Sequence, residues 1–301
     1  MSNAGEHEAQ TEVWTIRRVL TWAADDLRKR GSSSPRLDAE LLLCLVLRVD
    51  RIGLLIDADR PLARAELTRY RELHQRRRAG EPVAYLLGVR EFYGRPFRVD
   101  RRVLIPRPDT EALVEVALER TRRVSLSARV LDLCTGSGCV AISLGRERPT
   151  TRVLGADLSR DALVVAQENA VRLGAVNCGF VVSDVFATFA TFGASAGRAR
   201  FDLITANPPY LTEAEIPDLA VDIRAYEPAL ALTGGSDGLA VLRRVVADAP
   251  PFLDEGGLLA VEIGADQGEA VRGLFAAAGY RDVETRRDYG AHERVVSGLR
   301  P

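Results

Sequence analysis

The sequence is poor in the residue types that build disulfide frameworks, metal centres and membrane spans. Its 301 residues include four cysteines, three histidines, one methionine and a single lysine, Lys29. Cys44, Cys134, Cys139 and Cys178 form no C-x-x-C pair and have no histidine at ligand spacing, so we expect neither disulfides nor a metal site. The longest apolar runs are far shorter than a membrane span, and the amino terminus lacks a signal-peptide pattern. We therefore expect a cytoplasmic protein without membrane contact.

Apolar residues are plentiful, and the charge is unevenly distributed. Hydrophobic residues make up 47% of the chain, which is enough to bury the core of one large domain or two ordinary ones. The net charge of −1 divides into 21 basic and 15 acidic side chains over residues 1–107, and 20 basic and 27 acidic side chains thereafter. This asymmetry indicates that the two parts of the chain face different partners.

The amino-terminal part has the pattern of a small helical domain. Helices are predicted over about 11–30, 35–48 and 61–79, the second with Ser34 as its cap and Pro35 in its first turn. Gly80-Glu81-Pro82 breaks this pattern, and alternation over Phe92 to Ile105 predicts a β-hairpin. We therefore predict a helical domain over 1–80, a linker with a hairpin over 81–105, and a catalytic domain over 106–301.

Strands and helices alternate through the catalytic domain, which predicts right-handed crossovers and a parallel sheet. Two closing strand patterns with a short connection predict an antiparallel edge pair, and Thr188 to Ala199 is typical of a surface loop. The fold class is therefore α/β, with a seven-stranded Rossmann-like sheet. The predicted strands are 129–134, 152–157, 178–183, 201–206, 257–263, 280–286 and 293–299, and the predicted helices are 139–148, 160–173, 237–249 and 267–278.

A glycine-containing turn follows the first of these strands and predicts a nucleotide-type ligand. Glycines at such a turn let a ligand approach the backbone closely. Asp157 ends the second strand, where it is suited to accept from both hydroxyls of a ribose, and Asp184 ends the third, where it is suited to an adenine amino group. A lone aspartate is more often a helix cap, but acids at the ends of three successive strands favour a binding site. The candidate cofactor residues are Asp132, Cys134, Thr135, Gly136, Ser137, Gly138, Asp157, Asp184, Val185 and Asn207.

The nature of the ligand follows from two departures from the dinucleotide pattern. The dinucleotide fingerprint requires a third glycine, where this chain has Ala141. Asp132, just before the turn, suits a ligand that carries an ammonium group and no pyrophosphate. S-adenosylmethionine meets both requirements, so we favour it over NAD.

Asn207-Pro208-Pro209-Tyr210 follows the buried strand 201–206, so it lies where open α/β sheets bind and transform ligands. The Asn207 side-chain oxygen and the Pro208 carbonyl are two acceptors on a stiffened backbone, suited to one planar NH2 group. The ring of Tyr210 is placed to cover that group. A proline-rich turn with no function is an equally good interpretation of this tetrapeptide taken alone.

Taken together, these motifs resemble the amino-group methyltransferases and, among them, the peptide chain release factor N5-glutamine methyltransferase (PrmC/HemK) family. Six further segments share in this resemblance, which covers roughly residues 15 to 300. They are Glu81-Pro82-Val83-Ala84-Tyr85, Glu91-Phe92-Tyr93-Gly94, residues 104–111, Tyr226-Glu227-Pro228, residues 234–239 and Glu262-Ile263-Gly264.

The resemblance implies a class I methyltransferase domain preceded by a helical domain that docks the substrate. It implies methyl transfer from S-adenosylmethionine, with S-adenosylhomocysteine as product, to the glutamine of the Gly-Gly-Gln loop in class I release factors. Asn207 to Tyr210 would be catalytic, and Arg107 and Glu111 would join them in binding substrate, although a proline turn before a helix start at Thr110 explains the latter segment equally well. Many relatives have glycine at Cys134, so we expect this residue to avoid positive φ.

Three other functions compete with this interpretation. An adenine-N6 DNA methyltransferase uses the same acceptor pair on a flipped base. However, the acidic catalytic part and the lack of a recognition domain argue against nucleic-acid contact. Methylation of a ribosomal-protein glutamine and a non-catalytic binding module also stay open. We expect a monomer.

Overall fold

The computed structural model describes residues 13–122, 127–190, 199–288 and 290–301. The chain divides into two compact units between Leu87 and Gly88. The three-part division at residues 80 and 105 stays a prediction. Residues 11–12 of the first predicted helix and residues 191–198 of the predicted surface loop lie outside the described residues.

The first unit is helical, as predicted. Thr15 begins its first helix, because its hydroxyl accepts a hydrogen bond from the Arg18 N–H. Ser34 does precede the second helix, but its hydroxyl makes no capping bond, and Pro35 supplies the start instead. Two helices were not predicted, since five or six residues are too few for a periodic pattern. The described helices are α1 (Ile16–Lys29), α2 (Pro35–Leu47), α3 (Arg51–Ile56), α4 (Arg64–Arg78) and α5 (Val83–Leu87).

The second unit begins with a hairpin that lies earlier than predicted. Its strands are β1 (Val89–Phe92) and β2 (Arg95–Arg98), rather than a pair spread over 92–105. Tyr93 and Gly94 form the two-residue turn with φ of 49° and 68°. Two successive residues at positive φ match the twist of a tight hairpin, so the chain reverses here.

Seven strands form one sheet among the described residues, which confirms the predicted fold class. The first five strands along the chain are parallel, and the last two add an antiparallel edge. The sheet order is β5-β4-β3-β6-β7-β9-β8. The strands are β3 (Arg129–Leu133), β4 (Arg152–Asp157), β5 (Cys178–Val182), β6 (Phe201–Ala206), β7 (Leu253–Glu262), β8 (Arg281–Arg287) and β9 (Glu293–Leu299).

Helices cover both faces of this sheet. Successive residues of β3 belong to two different buried clusters: Leu131 packs in one and Val130 in the other. Strand order reverses between β3 and β6, which opens a crevice at their carboxyl ends. The helices are α6 (Glu111–Arg120), α7 (Cys139–Glu147), α8 (Arg160–Arg172), α9 (Val221–Arg224), α10 (Ala240–Asp248) and α11 (Gly268–Ala277).

No helix in the described part of the chain is long and apolar enough to cross a membrane.

Candidate active site

A cavity of about 430 Å³ opens where β3, β4 and β6 end. It is therefore located at the topological switch point of the sheet, the usual ligand site of this architecture. Most residues singled out from the sequence line it: Arg107, Asp132, Cys134, Thr135, Gly136, Ser137, Asp157, Asp184, Val185, Asn207 and Pro209. Four others are not part of the lining described: Glu111, Gly138, Pro208 and Tyr210.

The turn after β3 corrects one expectation. Cys134 has a φ of 55°, in the left-handed region that it was expected to avoid. Backbone hydrogen bonds hold the turn in this shape: Thr135 N–H donates to the Ala156 carbonyl at 3.1 Å, and Gly138 N–H donates to the Thr135 carbonyl at 2.8 Å. The tertiary contact with β4 therefore overrides the preference of the side chain at Cys134, at a typical cost of ~1–2 kcal/mol.

Gly138 serves packing, since α7 begins at the next residue. A Cβ here would lie 2.9 Å from the Ile142 side chain and 3.1 Å from that of Ala166. Only glycine lets α7 approach α8 this closely.

Asp132 joins the end of β3 to its neighbours. Its side chain is 1% exposed, and each carboxylate oxygen accepts a threonine hydroxyl, Oδ2 from Thr135 at 2.6 Å and Oδ1 from Thr205 at 2.7 Å. Burial raises the pKa of Asp132 to about 6. This acid lines the cavity while both of its oxygens already have donors.

Asp157 is presented to the cavity by two backbone groups. Its Oδ2 accepts from Gly136 N–H and its Oδ1 from Ser159 N–H, both at 2.9 Å. Burial raises the pKa of this carboxyl group. The Leu158 N–H also interacts with this carboxylate, which still keeps lone-pair capacity for a ligand, since a carboxylate offers about four acceptor sites.

Asp184 has a partner that the sequence did not predict. Arg244 in α10 lies 3.0 Å from its Oδ1, and both side chains are about half-exposed at the cavity wall. Leu158, another unpredicted lining residue, is 52% exposed directly after Asp157. An apolar surface thus accompanies the acids that end β4 and β5.

The residues of the tetrapeptide after β6 have different surroundings, since Asn207 and Pro209 line the cavity and Tyr210 packs against the main buried cluster. The Asn207 amide lines the cavity and donates from Nδ2 to the Thr110 hydroxyl at 3.2 Å. The side chain of Tyr210 packs against the main buried cluster instead, and burial raises its pKa to about 12. Its carbonyl accepts from Gln267 Nε2 at 2.9 Å, which fixes the backbone of the turn.

Glu262, the last residue of β7, is the site residue to which sequence reasoning assigned no role. It is 1% exposed, and its carboxyl group accepts hydrogen bonds from the side chains of Thr110 and Asn207. Burial raises its pKa to about 7, against the opposing effect of these bonds. The sequence signals were its place near the end of a predicted strand, beside the other strand-end acids, and its presence in the segment Glu262-Ile263-Gly264 that shares in the family resemblance.

The segment before α6 is held by ion pairs. Arg107 lies 2.6 Å from Glu227 Oε1, and Glu227 Oε2 accepts from Ile105 N–H at 3.2 Å. Glu111, predicted to bind substrate, accepts from the Tyr93 N–H of the hairpin turn at 2.8 Å. A short 3-10 turn over Pro108–Thr110 leads into α6, close to the helix start considered as the alternative.

No cluster of three or more histidine, cysteine or acidic residues suited to a metal ion occurs in the described part of the chain.

Comparison with known proteins shows to which family this chain belongs. The family described as "PrmC N-terminal domain" matches residues 18–88, and "Methyltransferase small domain" matches residues 108–227. A release factor glutamine methyltransferase of Geobacter sulfurreducens is 44% identical over 95% of this chain and 97% of its own. One of Vibrio cholerae is 43% identical over 94% and 96%. This chain belongs to the release factor glutamine methyltransferase family.

Solved structures agree with the fold. The Thermus thermophilus 16S rRNA N2 G1207 methyltransferase, solved with AdoMet and guanosine, aligns with a TM-score of 0.50 at 19% identity. The alignment covers 71% of this chain and 50% of that one. At this identity the likeness concerns the methyltransferase fold alone.

Proposed function

We propose that this protein transfers a methyl group from S-adenosylmethionine to the side-chain amide nitrogen (N5) of the glutamine in the Gly-Gly-Gln loop of class I release factors. The observation that carries this proposal is the position of Asn207, whose amide lines the same cavity as Asp157 and Asp184. An acceptor suited to an NH2 group and acceptors suited to an adenosine thus meet in one space. The names of the family members supply the substrate.

The residues at the turn after β3 fit S-adenosylmethionine. Adenosine needs acceptors for its ribose hydroxyls and an apolar surface for its base, and Asp157 and Leu158 offer these. No atom lies within 4 Å of the position where a Cβ would stand on Gly136, so the backbone there is open to a ligand. When bound, S-adenosylmethionine supplies an electrophilic methyl group on a sulfonium.

Asn207 and Pro208 position the glutamine amide in this proposal. An amide nitrogen is a poor nucleophile, because its lone pair is delocalised into the carbonyl. The Asn207 Oδ1 and the Pro208 carbonyl would each accept one N–H, which favours a pyramidal nitrogen and stabilises the positive charge that develops on it. Two fixed acceptors thereby stabilise the transition state more than the planar ground state.

Proton removal does not require a dedicated base. The methylated nitrogen is strongly acidic before it loses its proton, so the proton leaves late. No histidine is among the described residues that line the cavity, which is compatible with this mechanism. The Tyr210 backbone also helps to hold the turn, since its carbonyl accepts from Gln267 Nε2 at 2.9 Å.

The helical unit is proposed to dock the release factor. Its support is a row of exposed apolar side chains on α3: Ile52, Leu55 and Ile56 are 65%, 69% and 77% exposed. Leu55→Asp should raise the KM for the release factor several-fold while kcat stays the same. A lower kcat with an unchanged KM would contradict this role.

The decisive experiment is mass spectrometry of a purified class I release factor after incubation with this protein and S-adenosylmethionine. A Gln→Ala change in the Gly-Gly-Gln loop of the release factor is the control. Methylation confined to that glutamine supports the proposal. Transfer to DNA or to a ribosomal protein, with none to the release factor, would keep the chemistry and overturn the substrate.

A further inference from the structure

The Asn207 amide has two chemically different ends, and the reaction proposed above needs one particular end to face the substrate. Its oxygen accepts hydrogen bonds, whereas its NH2 group donates them. An NH2 group facing the NH2 of a glutamine would offer no acceptor at all. What decides the orientation of this amide is therefore part of the catalytic design, and only its hydrogen-bonded neighbours can decide it.

Glu262 and Thr110 are those neighbours. Asn207 Nδ2 donates to the Thr110 hydroxyl at 3.2 Å, and the buried Glu262 carboxyl group interacts with the side chains of both Thr110 and Asn207. No hydrogen bond to Asn207 Oδ1 is found within the described part of the chain. The donating end of the amide is thus engaged, and its accepting end is left for a ligand.

A reversed amide would meet an unfavourable environment. When Glu262 is ionised, the oxygen of the reversed amide would face its buried carboxylate oxygens, and acceptors placed against each other in a low-dielectric interior repel. Glu262 already has one buried oxygen, Oε2, without a partner in the described structure, so reversal would leave further acceptors unsatisfied. Thr110 alone could serve either orientation, because a hydroxyl both donates and accepts.

We propose that Glu262, acting together with Thr110, is a positioning residue that locks the Asn207 amide with its oxygen toward the acceptor substrate. The inference rests on the proposed function, since it assigns a cause to the acceptor geometry that methyl transfer to an NH2 group requires. Glu262 itself does not touch the substrate in this arrangement. It acts through Asn207.

Two pairs of variants test whether Glu262 and Thr110 fix the orientation of the Asn207 amide. Glu262→Leu and Thr110→Val remove the acceptor and the bridging hydroxyl with little change in volume. Thr110→Ser keeps the hydroxyl and is a conservative variant, whereas Glu262→Gln keeps one acceptor oxygen but adds an NH2 donor that could serve a reversed Asn207 amide. Thr151→Val is the matched control, because this threonine is also buried and donates to a backbone carbonyl, but precedes β4 at the opposite end of the strands.

The kinetic readout separates orientation from general damage. Glu262→Leu and Thr110→Val should lower kcat by about 100-fold, the loss expected when a reacting group is misplaced. The dissociation constant for S-adenosylmethionine, measured by calorimetry, should change by no more than about twofold, because neither residue is proposed to contact the cofactor. Thr110→Ser should recover most of the lost rate, Glu262→Gln should recover only part of it because its amide serves either orientation of Asn207, and Thr151→Val should keep the wild-type kcat.

A second readout does not depend on activity. In the ¹⁵N-labelled protein, the Asn207 side-chain NH2 signals are assigned by their loss in Asn207→Ala. They should shift and exchange faster in Glu262→Leu and Thr110→Val, and return in Thr110→Ser. Wild-type signals in Glu262→Leu would overturn the inference even if the enzyme is active. Absence of any methyl transfer by the wild type would instead overturn the proposed function, and these signals would still decide the orientation of Asn207.

Discussion

Two buried carboxyl groups adjoin the site, one in β3 and one at the end of β7, and they differ in how their oxygens are partnered. Asp132 gives each oxygen to a threonine hydroxyl, whereas Glu262 leaves Oε2 without a partner in the described structure. Asp132, beside the proposed cofactor turn, thus has a hydrogen-bond donor for each of its oxygens. Glu262, near Asn207, has one carboxyl oxygen without a hydrogen-bond donor. The two acids therefore differ in their remaining capacity to accept hydrogen bonds.

Asn207→Ala should remove the proposed acceptor for the substrate amide and leave the proposed cofactor-binding residues at the ends of β3 and β4 intact. We expect kcat to fall by at least ~10³-fold, similar to the loss of a transition-state hydrogen-bond partner in other enzymes. S-adenosylmethionine should bind with nearly unchanged affinity. Single-turnover methylation and calorimetry measure the two quantities. Near-normal turnover would refute the two-acceptor mechanism.

The pH dependence of stability should sharpen the contrast between the two acids. The pKa of Glu262 in the folded protein, about 7, exceeds its ordinary value of 4.5, so the folded state holds this proton more tightly than the unfolded state. Stability should therefore fall as pH rises from about 4.5 to about 7, by about 3 kcal/mol in total.

The comparison with Asp132 gives this prediction its control. The pKa of Asp132 rises from 3.8 to about 6, so most of its own loss of stability falls below pH 6, with only a small part between pH 6 and 7. Glu262→Gln should flatten urea-unfolding free energies between pH 6 and 7, whereas Asp132→Asn should leave that slope in place. Equal slopes in the two variants would show that Glu262 does not titrate there.

Asp157→Ala should break the cofactor region alone. Loss of an ionised acceptor for two ribose hydroxyls typically costs ~1.5–3 kcal/mol, which predicts S-adenosylmethionine binding weaker by roughly 10–100-fold. At saturating S-adenosylmethionine, kcat should change little. Asp254→Ala, which removes an acid from the opposite end of the sheet, should bind normally. Unchanged affinity in Asp157→Ala would assign the ribose to other residues.

Cys134→Gly should have the smallest effect. Glycine adopts a φ of 55° without steric cost, so the variant should gain up to ~1 kcal/mol of stability, less what is lost with the buried thiol. Thermal unfolding measures this change. A clear loss of stability would show that packing of the Cys134 side chain outweighs the backbone strain.

Sequence reasoning succeeded where local pattern and strand topology coincide. Alternation of strands and helices predicted the sheet, and the carboxyl ends of parallel strands had to bring Asp157 and Asn207 to one edge. It failed for the hairpin register, because Tyr93 at positive φ has no sequence signature. It failed for Cys134 because a contact with β4 overrides the preference of a single residue.

Side-chain pairing across long separations was beyond the sequence. Arg107 was predicted to bind substrate, which stays a prediction; it lines the cavity and pairs with Glu227, 120 residues away. Tyr210 was predicted to cover the substrate, which stays a prediction; its partly buried side chain packs against the main buried cluster. Neither outcome follows from residue type, since the same side chain serves a ligand or a neighbour depending on what the fold places beside it.

The sequence by itself determined the α/β class, the methyltransferase family and the strand ends at which the functional groups lie, because periodicity and local motifs are properties of neighbouring residues. Only the tertiary structure decided which of those groups are already engaged. The fold brings together three residues that are up to 152 positions apart in the chain, Thr110, Asn207 and Glu262. Burial of Glu262 among them raises the pKa of its carboxyl group. In our proposal these contacts also set the orientation of the Asn207 amide.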